Sequence, residues 1–251
     1  MGIVDIILPN FNKENYLKET IDSILNQSFK DFNLYIIDDN STDNSKKVID
    51  KYSDTRIKVL KLKRNKGVHF CRYLGIRLSK SKYISFIDAD DYWDENKLKN
   101  QINFMIKNNY PFTFTDYIPV LQTTNFKKTL KRTNIVDTFT LQSFIKNSSI
   151  NTSTMILERK HLRKLKFRKL DLLEDYIFKC ELMKKTKIKF EKLADASAIY
   201  RIIEKSRSSQ KIYNIYNLWK LNKTYNKLNF LQNLKSLLFI SLNSIKKYGL
   251  K

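Results

Sequence analysis

The amino-acid sequence predicts an α/β fold with a mostly parallel sheet, because strand-like and helical patterns alternate in its N-terminal half. Four short runs rich in apolar or β-branched residues have the length of strands: 3–8 (IVDIIL), 34–38 (LYIID), 57–62 (IKVLKL) and 83–88 (YISFID). Between these runs the apolar residues follow helical spacing, as in Leu17, Ile21 and Ile24. Such alternation is typical of right-handed βαβ units, in which crossover helices join parallel strands.

The chain is long enough, at 251 residues, for one large domain with a helical appendage. We predict a single domain over 1–205, with a regular half at 1–110 and a less regular half at 111–205 that carries mixed strands. In the second half we expect strands at 112–115 and 153–157 and a helix over about 174–184.

A basic helical extension is predicted at 206–251, because no Asp or Glu follows Glu204 whereas Lys and Arg recur to the last residue. One helical face of this extension collects the apolar side chains Leu234, Leu237, Leu238, Leu242 and Ile245. Two arrangements would use this face. The helix either packs on its own domain or rests on an anionic membrane surface.

The chain is strongly basic, with 48 Lys and Arg against 25 Asp and Glu and a formal net charge of +23. Such a charge suggests an anionic partner, which would be nucleic acid, an acidic membrane or a phosphorylated substrate, although a general compositional bias would also produce it. The cysteines, Cys71 and Cys180, have no metal or redox spacing, so we expect a reduced, cytoplasmic compartment. With 4 glycines, the sequence has neither a G-x-G-x-x-G motif nor a Walker loop.

Acidic residues follow two of the predicted strands directly. Asp38 and Asp39 end the second strand, and Asp88 and Asp90 end the fourth. Because ligands of open parallel sheets bind outside the carboxyl ends of the strands, we expect these acids to face one crevice. Like charges need a cation among them, and the compact D-x-D turn offers hard oxygen ligands that suit Mg²⁺ or Mn²⁺.

A second interpretation of the D-x-D turn requires no metal. Asp is favoured at turns and at helix N-caps, so the acids would then cap the helix that follows near Asn96. Even with a metal present, we assign this capping role to Asp91 and Asp94.

Three connected stretches carry a family resemblance: LPNFNKENYL leading to IIDDNSTDNS, NKGVHFCRYLGI leading to FIDADD, and LLEDYIF. As a series they resemble the family 2 glycosyltransferases of the GT-A fold. This family opens with a strand and a P-x-Y-N-like turn, then has a D-D-x-S strand end, an N-x-G-x-x-x-A-R-N helix and D-x-D. The resemblance is close over 1–110 and loose over 150–205. It implies a Rossmann-like nucleotide-binding half and a mixed central sheet.

The resemblance implies a site for a nucleotide-sugar donor. Pro9, Asn10 and Phe11 would line the pocket for the base. Asp39, next to Asp38 at the strand end, would accept a hydrogen bond from a ring N–H of the base, as a carboxylate can. The alternative for Asp39 is an Asx turn with Ser41.

The same resemblance places the diphosphate and the metal. Arg72 matches the arginine of the family's A-R-N helix and would lie near the phosphates, although Cys71 and Tyr73 depart from that motif. Asp90 would ligate Mn²⁺ or Mg²⁺ together with Asp88. Asp88 and Ala89 would also contact the ribose and the diphosphate. The ion would stabilise the charge that develops on the departing nucleoside diphosphate.

On the acceptor side, the resemblance assigns the catalytic base to Asp175, with Glu174 in support. The alternative is that these acids merely favour the first turn of a helix. Thr152 and Ser153 are weaker candidates for donor or acceptor contacts. A flexible loop at 200–209 would bring basic side chains to the diphosphate: Arg201, Lys205 and Arg207.

The resemblance thus implies an inverting, metal-dependent glycosyltransferase that uses a nucleotide-diphosphate sugar as its donor. We expect this donor to be a UDP-sugar. Its acceptor would be a glycan or a lipid-linked glycan, in bacterial surface-polysaccharide assembly at the cytoplasmic face of the membrane. Residues 206–251 would make the peripheral membrane contact. The alternative is a catalytically inactive sugar-nucleotide-binding partner subunit. A nucleic-acid partner would account for the charge but not for the acidic crevice, so none is expected.

Overall fold

A computed structural model of the chain describes residues 2–122, 126–162, 165, 167–170, 172–203 and 211–248. The strands are β1 (Val4–Asn10), β2 (Phe32–Asp38), β3 (Ile57–Lys61), β4 (Tyr83–Phe86), β5 (Tyr92–Trp93), β6 (Phe112–Gln122), β7 (Lys127–Thr129), β8 (Thr138–Phe139), β9 (Ile156–Glu158) and β10 (Phe190–Ile203). The α-helices are α1 (Glu14–Leu25), α2 (Ser45–Ile49), α3 (Val68–Leu78), α4 (Lys97–Asn108), α5 (Leu141–Lys146), α6 (Glu174–Thr186), α7 (Lys211–Thr224) and α8 (Phe230–Tyr248). Two 3₁₀ turns span Thr152–Thr154 and Arg159–Leu162.

The strands form one mixed sheet in the order β3-β2-β1-β4-β9-β6-β10-β5, with β7 paired to β6 and β8 paired to β10. Strands β1 to β4 run parallel to one another, as predicted. β9 is antiparallel to both β4 and β6, and β10 is parallel to β6. The mixed α/β architecture predicted from the sequence is therefore confirmed, and the change of strand direction lies immediately beside β4.

Apolar burial on both faces of β1 explains why this half is parallel. Every residue of β1 is buried, which is typical of a strand covered by crossover helices. From α1, the side chains of Leu17, Ile21 and Ile24 are fully buried. In α3, a Cβ at Gly75 would lie 2.5 Å from Cγ2 of Ile7. Glycine at this position therefore lets α3 approach β1 closely.

Two parts of the second half differ from the prediction. The strand expected at 153–157 is a 3₁₀ turn, Thr152–Thr154, followed by the shorter β9. The loop predicted at 200–209 is not a loop at 200–203, because these residues belong to β10, a strand that was not predicted from the sequence. β10 pairs with β6 on both sides of a register shift between Leu193 and Ala198. Residues 204–209 of that loop lie outside the described residues.

The extension forms two helices, and both pack on the domain. α7 buries Leu218 and Leu221, while α8 contacts α5 and α7. Among the described helices, none combines the length and the apolar composition needed to cross a bilayer.

Candidate active site

The first part of the crevice is built where β1 and β2 end side by side. Asn10 and Asp38, the last residues of these strands, are partners in register, and Asn10 Nδ2 donates to Asp38 Oδ1 at 2.8 Å. The backbone N–H of Ser41 donates to Asp38 Oδ2 at 3.1 Å. Asp38 therefore closes the turn, so the Asx turn that the sequence suggested for Asp39 is made by its neighbour. Pro9 is buried within β1, whereas Phe11 is 44% exposed beyond the strand end.

Asp39 connects the end of β2 to the start of α3. Its Oδ1 accepts from the backbone N–H of Lys66, and its Oδ2 accepts from that of Gly67, both at 2.7 Å. Gly67 has a φ of 86°, a left-handed conformation that glycine adopts without strain. The carboxylate of Asp39 is thus held firmly at the edge where the base is predicted to bind.

Arg72 joins two predicted site segments that are far apart in sequence. Its Nη2 donates to Asp88 Oδ1 at 2.6 Å, and its Nη1 donates to Glu174 Oε1 at 3.2 Å. The side chain is only 4% exposed. Burial alone would lower the pKa of the guanidinium, but the charges of Asp88 and Glu174 raise it. Arg72 is therefore a permanent cation between the D-x-D turn and the start of α6.

The outer acid of the turn also has a cationic neighbour. Nζ of Lys13, from the turn before α1, lies 2.5 Å from Asp90 Oδ2. The side chains of Lys13 and Asp90 are 33% and 21% exposed. Lys13 was not predicted from the sequence, where the only signal for it is its position in the first turn after β1. Ala89 is buried between the two acids, and its carbonyl accepts from Thr20 Oγ1 at 3.0 Å.

Asp91 is buried behind the turn and does not cap the next helix, contrary to the prediction. It accepts from Ser153 Oγ at 2.5 Å and from the backbone N–H of Arg201 at 3.0 Å. Burial raises the pKa of Asp91, and the neighbouring Asp90 and Asp88 raise it further. Asp94 does flank α4, because its carboxylate accepts from the backbone N–H of Asn96 at 3.1 Å.

The 3₁₀ turn Thr152–Thr154 links the D-x-D turn to the start of α6. Ser153 Oγ accepts from the backbone N–H of Asp88 at 3.1 Å, and Thr152 Oγ1 donates to Asp175 Oδ2 at 3.3 Å. The two residues predicted as weaker candidates thus lie between the two acidic segments. Their contacts within the protein position those acids.

Asp175 is paired with a lysine that the sequence analysis missed. Lys179 Nζ donates to Asp175 Oδ2 at 2.7 Å and to the carbonyl of Ile150 at the same distance. The lysine side chain is 2% exposed and that of Asp175 is 35% exposed. Burial raises the pKa of Asp175, but Lys179 more than offsets this and lowers it to about 2. The signal for Lys179 was its i,i+4 spacing from Asp175 on a helix.

Arg201 faces α1. Its Nη2 donates to Glu19, and its guanidinium carbon lies 4.8 Å from the centre of the Tyr16 ring. Nε and Nη1 of this buried side chain have no hydrogen-bond partner among the described residues. Arg201 is thus a fixed residue of β10 and not part of a flexible loop. The other basic residues predicted for that loop, Lys205 and Arg207, lie outside the described residues.

Asp88 and Asp90 offer the chemistry that a divalent ion requires, since both are partly exposed carboxylates with hard oxygen donors. One oxygen of each already meets a cation, Arg72 or Lys13. Within the part of the chain that the structure describes, no group of three or more His, Cys, Asp or Glu side chains is arranged to hold an ion. The donor set fits Mg²⁺ or Mn²⁺ only where substrate phosphates supply further oxygens, which is common for Mg²⁺ sites.

Solved structures that share this fold are glycosyltransferases. S. aureus TarS 1-349 in complex with UDP-GlcNAc matches with a TM-score of 0.72 at 20% identity, over 98% of this chain and 73% of that chain. The mannosyltransferase PcManGT from Pyrobaculum calidifontis, in complex with GDP-Man and Mn²⁺, matches with a TM-score of 0.69 at 12% identity, over 99% and 76% of the two chains. The fold is therefore GT-A, as the resemblance implied.

Sequence comparison adds the family. The model of glycosyl transferase family 2 matches residues 5–189. The UDP-Glc:alpha-D-GlcNAc-diphosphoundecaprenol beta-1,3-glucosyltransferase WfgD of Escherichia coli is 31% identical over 209 residues, which are 83% of this chain and 81% of the relative. The chain belongs to glycosyl transferase family 2 and is a glycosyltransferase.

Proposed function

We propose that this enzyme transfers a sugar from a UDP-linked donor to a glycan or lipid-linked acceptor, with inversion at the anomeric carbon, in bacterial surface-polysaccharide synthesis such as that of capsule, O-antigen or lipopolysaccharide. The observation that carries the proposal is the bridge from Asp88 through Arg72 to Glu174. It sets the predicted donor acids and the predicted acceptor acids on opposite sides of one cation. The donor named for WfgD and the UDP-GlcNAc in the TarS complex support the choice of UDP, and the diphosphoundecaprenol acceptor of WfgD supports a lipid-linked acceptor.

The donor would lie along the ends of β1, β2 and β4. The exposed ring of Phe11 supplies a stacking face for the base. Asp39 keeps acceptor capacity after its two backbone hydrogen bonds, because a carboxylate has about four lone-pair sites. Lys13 would place positive charge near the phosphates, beside Asp90.

Asp90 and Asp88 would hold a Mn²⁺ or Mg²⁺ ion. The Mn²⁺ in the PcManGT complex supports this assignment. When bound, the ion neutralises charge on the departing nucleoside diphosphate. Arg72 restrains Asp88 on the side of the turn that faces α6.

Asp175 would take the proton of the acceptor hydroxyl on its carboxylate. Its pKa of about 2 keeps it ionised at neutral pH, and Lys179 and Thr152 orient it. Glu174 is held by Arg72 and supports the site without moving a proton. One base acting in one displacement gives inversion.

Transfer is tested with a panel of nucleotide sugars supplied with Mn²⁺ or Mg²⁺, scored for transfer, donor hydrolysis and thermal shift. We expect UDP to raise the melting temperature and Asp175→Asn to lower turnover by about 10²–10⁴-fold without weakening UDP binding. Asp50→Asn is the matched control, because Asp50 is also in an i,i+4 pair with a lysine and is not one of the predicted site residues.

Two outcomes would contradict this function. If no nucleoside diphosphate shifts the melting curve, the chain does not use such a donor. If UDP binds tightly but no sugar is transferred or hydrolysed by the wild type, the inactive partner subunit is the better description.

A further inference from the structure

The outer side of α8 is apolar and uncovered by the described residues. Leu231, Leu234, Leu238, Leu242 and Ile245 follow one another at spacings of three, four or seven, so they share one stripe of the helix. Their exposed fractions lie between 41% and 66%. We call this stripe the outer face of α8. Only Leu237, of the apolar face predicted from the sequence, turns instead toward the domain.

The opposite side of α8 contacts the domain through Leu237 and Ile240 and through polar groups. Asn233 Nδ2 donates to the carbonyl of Trp219 at 2.9 Å, and Ser236 Oγ donates to the carbonyl of Ile145 at 2.7 Å. At about 100° per residue these side chains lie roughly opposite the outer face. A helix that only needed to pack on its domain would turn its leucines inward, so the outer face is available to a partner.

The charge around this face is of one sign. No Asp or Glu occurs after Glu204. Lys235 lies beside the outer face on α8, and Lys220 and Lys223 are exposed on α7. Phe230, exposed at the start of α8, packs its ring on Trp219 with centroids 5.4 Å apart. The surface therefore combines leucines, aromatic rings and lysines without a single acid.

We propose that the outer face of α8 binds an anionic lipid surface. Leucines would enter the boundary between headgroups and acyl chains while the lysines meet the negative headgroups, as in interfacial amphipathic helices. A second copy of this chain fits less well, because apposed copies would bring their lysines together without an acid to pair them. The inference concerns where the enzyme sits, and it stands independently of the donor and the reaction proposed above.

Docking at this face would also orient the crevice. Tyr176, the residue after Asp175, donates from its hydroxyl to Asn222 Oδ1 of α7 at 2.7 Å. Asn222 Nδ2 in turn donates to Ser236 Oγ of α8 at 3.0 Å. The helix that begins with Glu174 and Asp175 is thus tied by hydrogen bonds to the helix that would lie on the lipid.

The test is flotation of the full chain with vesicles of phosphatidylcholine alone or mixed with phosphatidylglycerol. We expect the wild type to float only with the anionic vesicles. A triple variant, Leu231→Gln, Leu238→Gln and Leu242→Gln, should lower the partition coefficient at least about tenfold. Changing Lys220, Lys223 and Lys235 to Gln should lower it about fivefold for each charge removed.

The matched control changes exposed apolar residues on other helices, Leu78→Gln in α3 and Ile106→Gln in α4, and should bind as the wild type does. If the leucine variant fails to fold, as judged by circular dichroism, the lysine variant and a salt titration of the wild type carry the test. Three results would overturn the proposal. The first is a wild type that fails to float with anionic vesicles, and the second is a leucine or lysine variant that binds the vesicles as well as the wild type does. The third is a dimer of the wild type in sedimentation velocity that the leucine variant abolishes.

Discussion

The N-terminal parallel sheet and the C-terminal helical pair are built with opposite polarity. In β1 the side chains of Ile6, Ile7 and Leu8 are fully buried, and polar groups are concentrated where the strands end. In α8 the inward side carries Asn233 and Ser236 together with Leu237 and Ile240, and the outward side carries the other leucines. Apolar burial therefore dominates the first region, whereas hydrogen bonds and apolar contacts together hold the second.

This difference indicates where each region meets its partners. The first region presents acids where β2 and β4 end, at the edge where we propose that the nucleotide sugar binds. The helical pair exposes apolar surface instead, so its partner must be one that accepts leucines.

The largest effect is expected from Ile7→Ala in β1. Removing a fully buried side chain from a close-packed core costs about 2–5 kcal/mol. Leu238→Ala, at an exposed site of α8, should change the free energy of unfolding by no more than about 0.5 kcal/mol. Urea denaturation of both variants measures the difference. Equal losses would show that the outer face of α8 is buried in solution.

Next in size is Asn222→Ala in α7. Asn222 accepts from Tyr176 and Asn226 and donates to Ser236, so its removal leaves buried polar groups without a partner and costs about 1–3 kcal/mol. Asn217→Ala is the control, because Asn217 only donates to a carbonyl of its own helix. Thermal unfolding compares the two. If Asn222→Ala does not lower the melting temperature, apolar contacts rather than hydrogen bonds hold α7 and α8 in place.

Lys97 of α4 is a buried cation beside the first region. It is fully buried, its Nζ lies 3.9 Å from the Trp93 ring centre, and burial holds its pKa well below the usual value. A base with a lowered folded pKa binds fewer protons folded than unfolded, so stability rises with pH up to the unfolded pKa. Between its folded and unfolded pKa values, the wild type should therefore gain stability with rising pH relative to Lys97→Met. Parallel pH profiles for the two proteins would refute a lowered pKa of Lys97.

The smallest effect is expected from Lys179→Met in α6, the helix between the two regions. Asp175 would lose the charge that offsets its burial, so its pKa should rise above about 2. It would also lose the hydrogen bond that orients its carboxylate, so turnover should fall about tenfold. The acidic limb of the kcat profile should move to higher pH, whereas KM for the donor should not change. Arg restores the charge, so Lys179→Arg should recover part of the rate. If Lys179→Met lowers the stability of the protein but leaves the acidic limb of the kcat profile unshifted, Lys179 has a structural role only.

Local patterns predicted the parts of the fold in which each element carries its own signal. β1 to β4 and the helices between them follow from apolar periodicity. The prediction that Asp38, Asp39, Asp88 and Asp90 lie at one site follows from their positions at strand ends. The resemblance assigned Arg72 to the donor side and Glu174 to the acceptor side, and their contact across 102 residues of sequence was not predicted. The binding and catalytic roles assigned to these residues stay predictions.

Other features depend on contacts that no local pattern records. β10 contains the weak strand formers ADAS at its register shift, and the residues on both sides of them pair with β6. Lys13 has no motif, and it meets Asp90 only because α1 begins beside the D-x-D turn. Asp91 had the sequence signature of a cap, but burial between Ser153 and the backbone of Arg201 gives it a different role.

The sequence alone determined the class of fold, the edge of the sheet that carries the acids and the family resemblance, because these depend on spacing within short segments. Only the tertiary structure decided which cation meets each acid and which side of α8 faces outward. Both depend on residues brought together from distant parts of the chain. The outward direction of the leucines is the clearest case, since the apolar face was evident in the sequence but the side that packs inward carries Asn233, Ser236, Leu237 and Ile240.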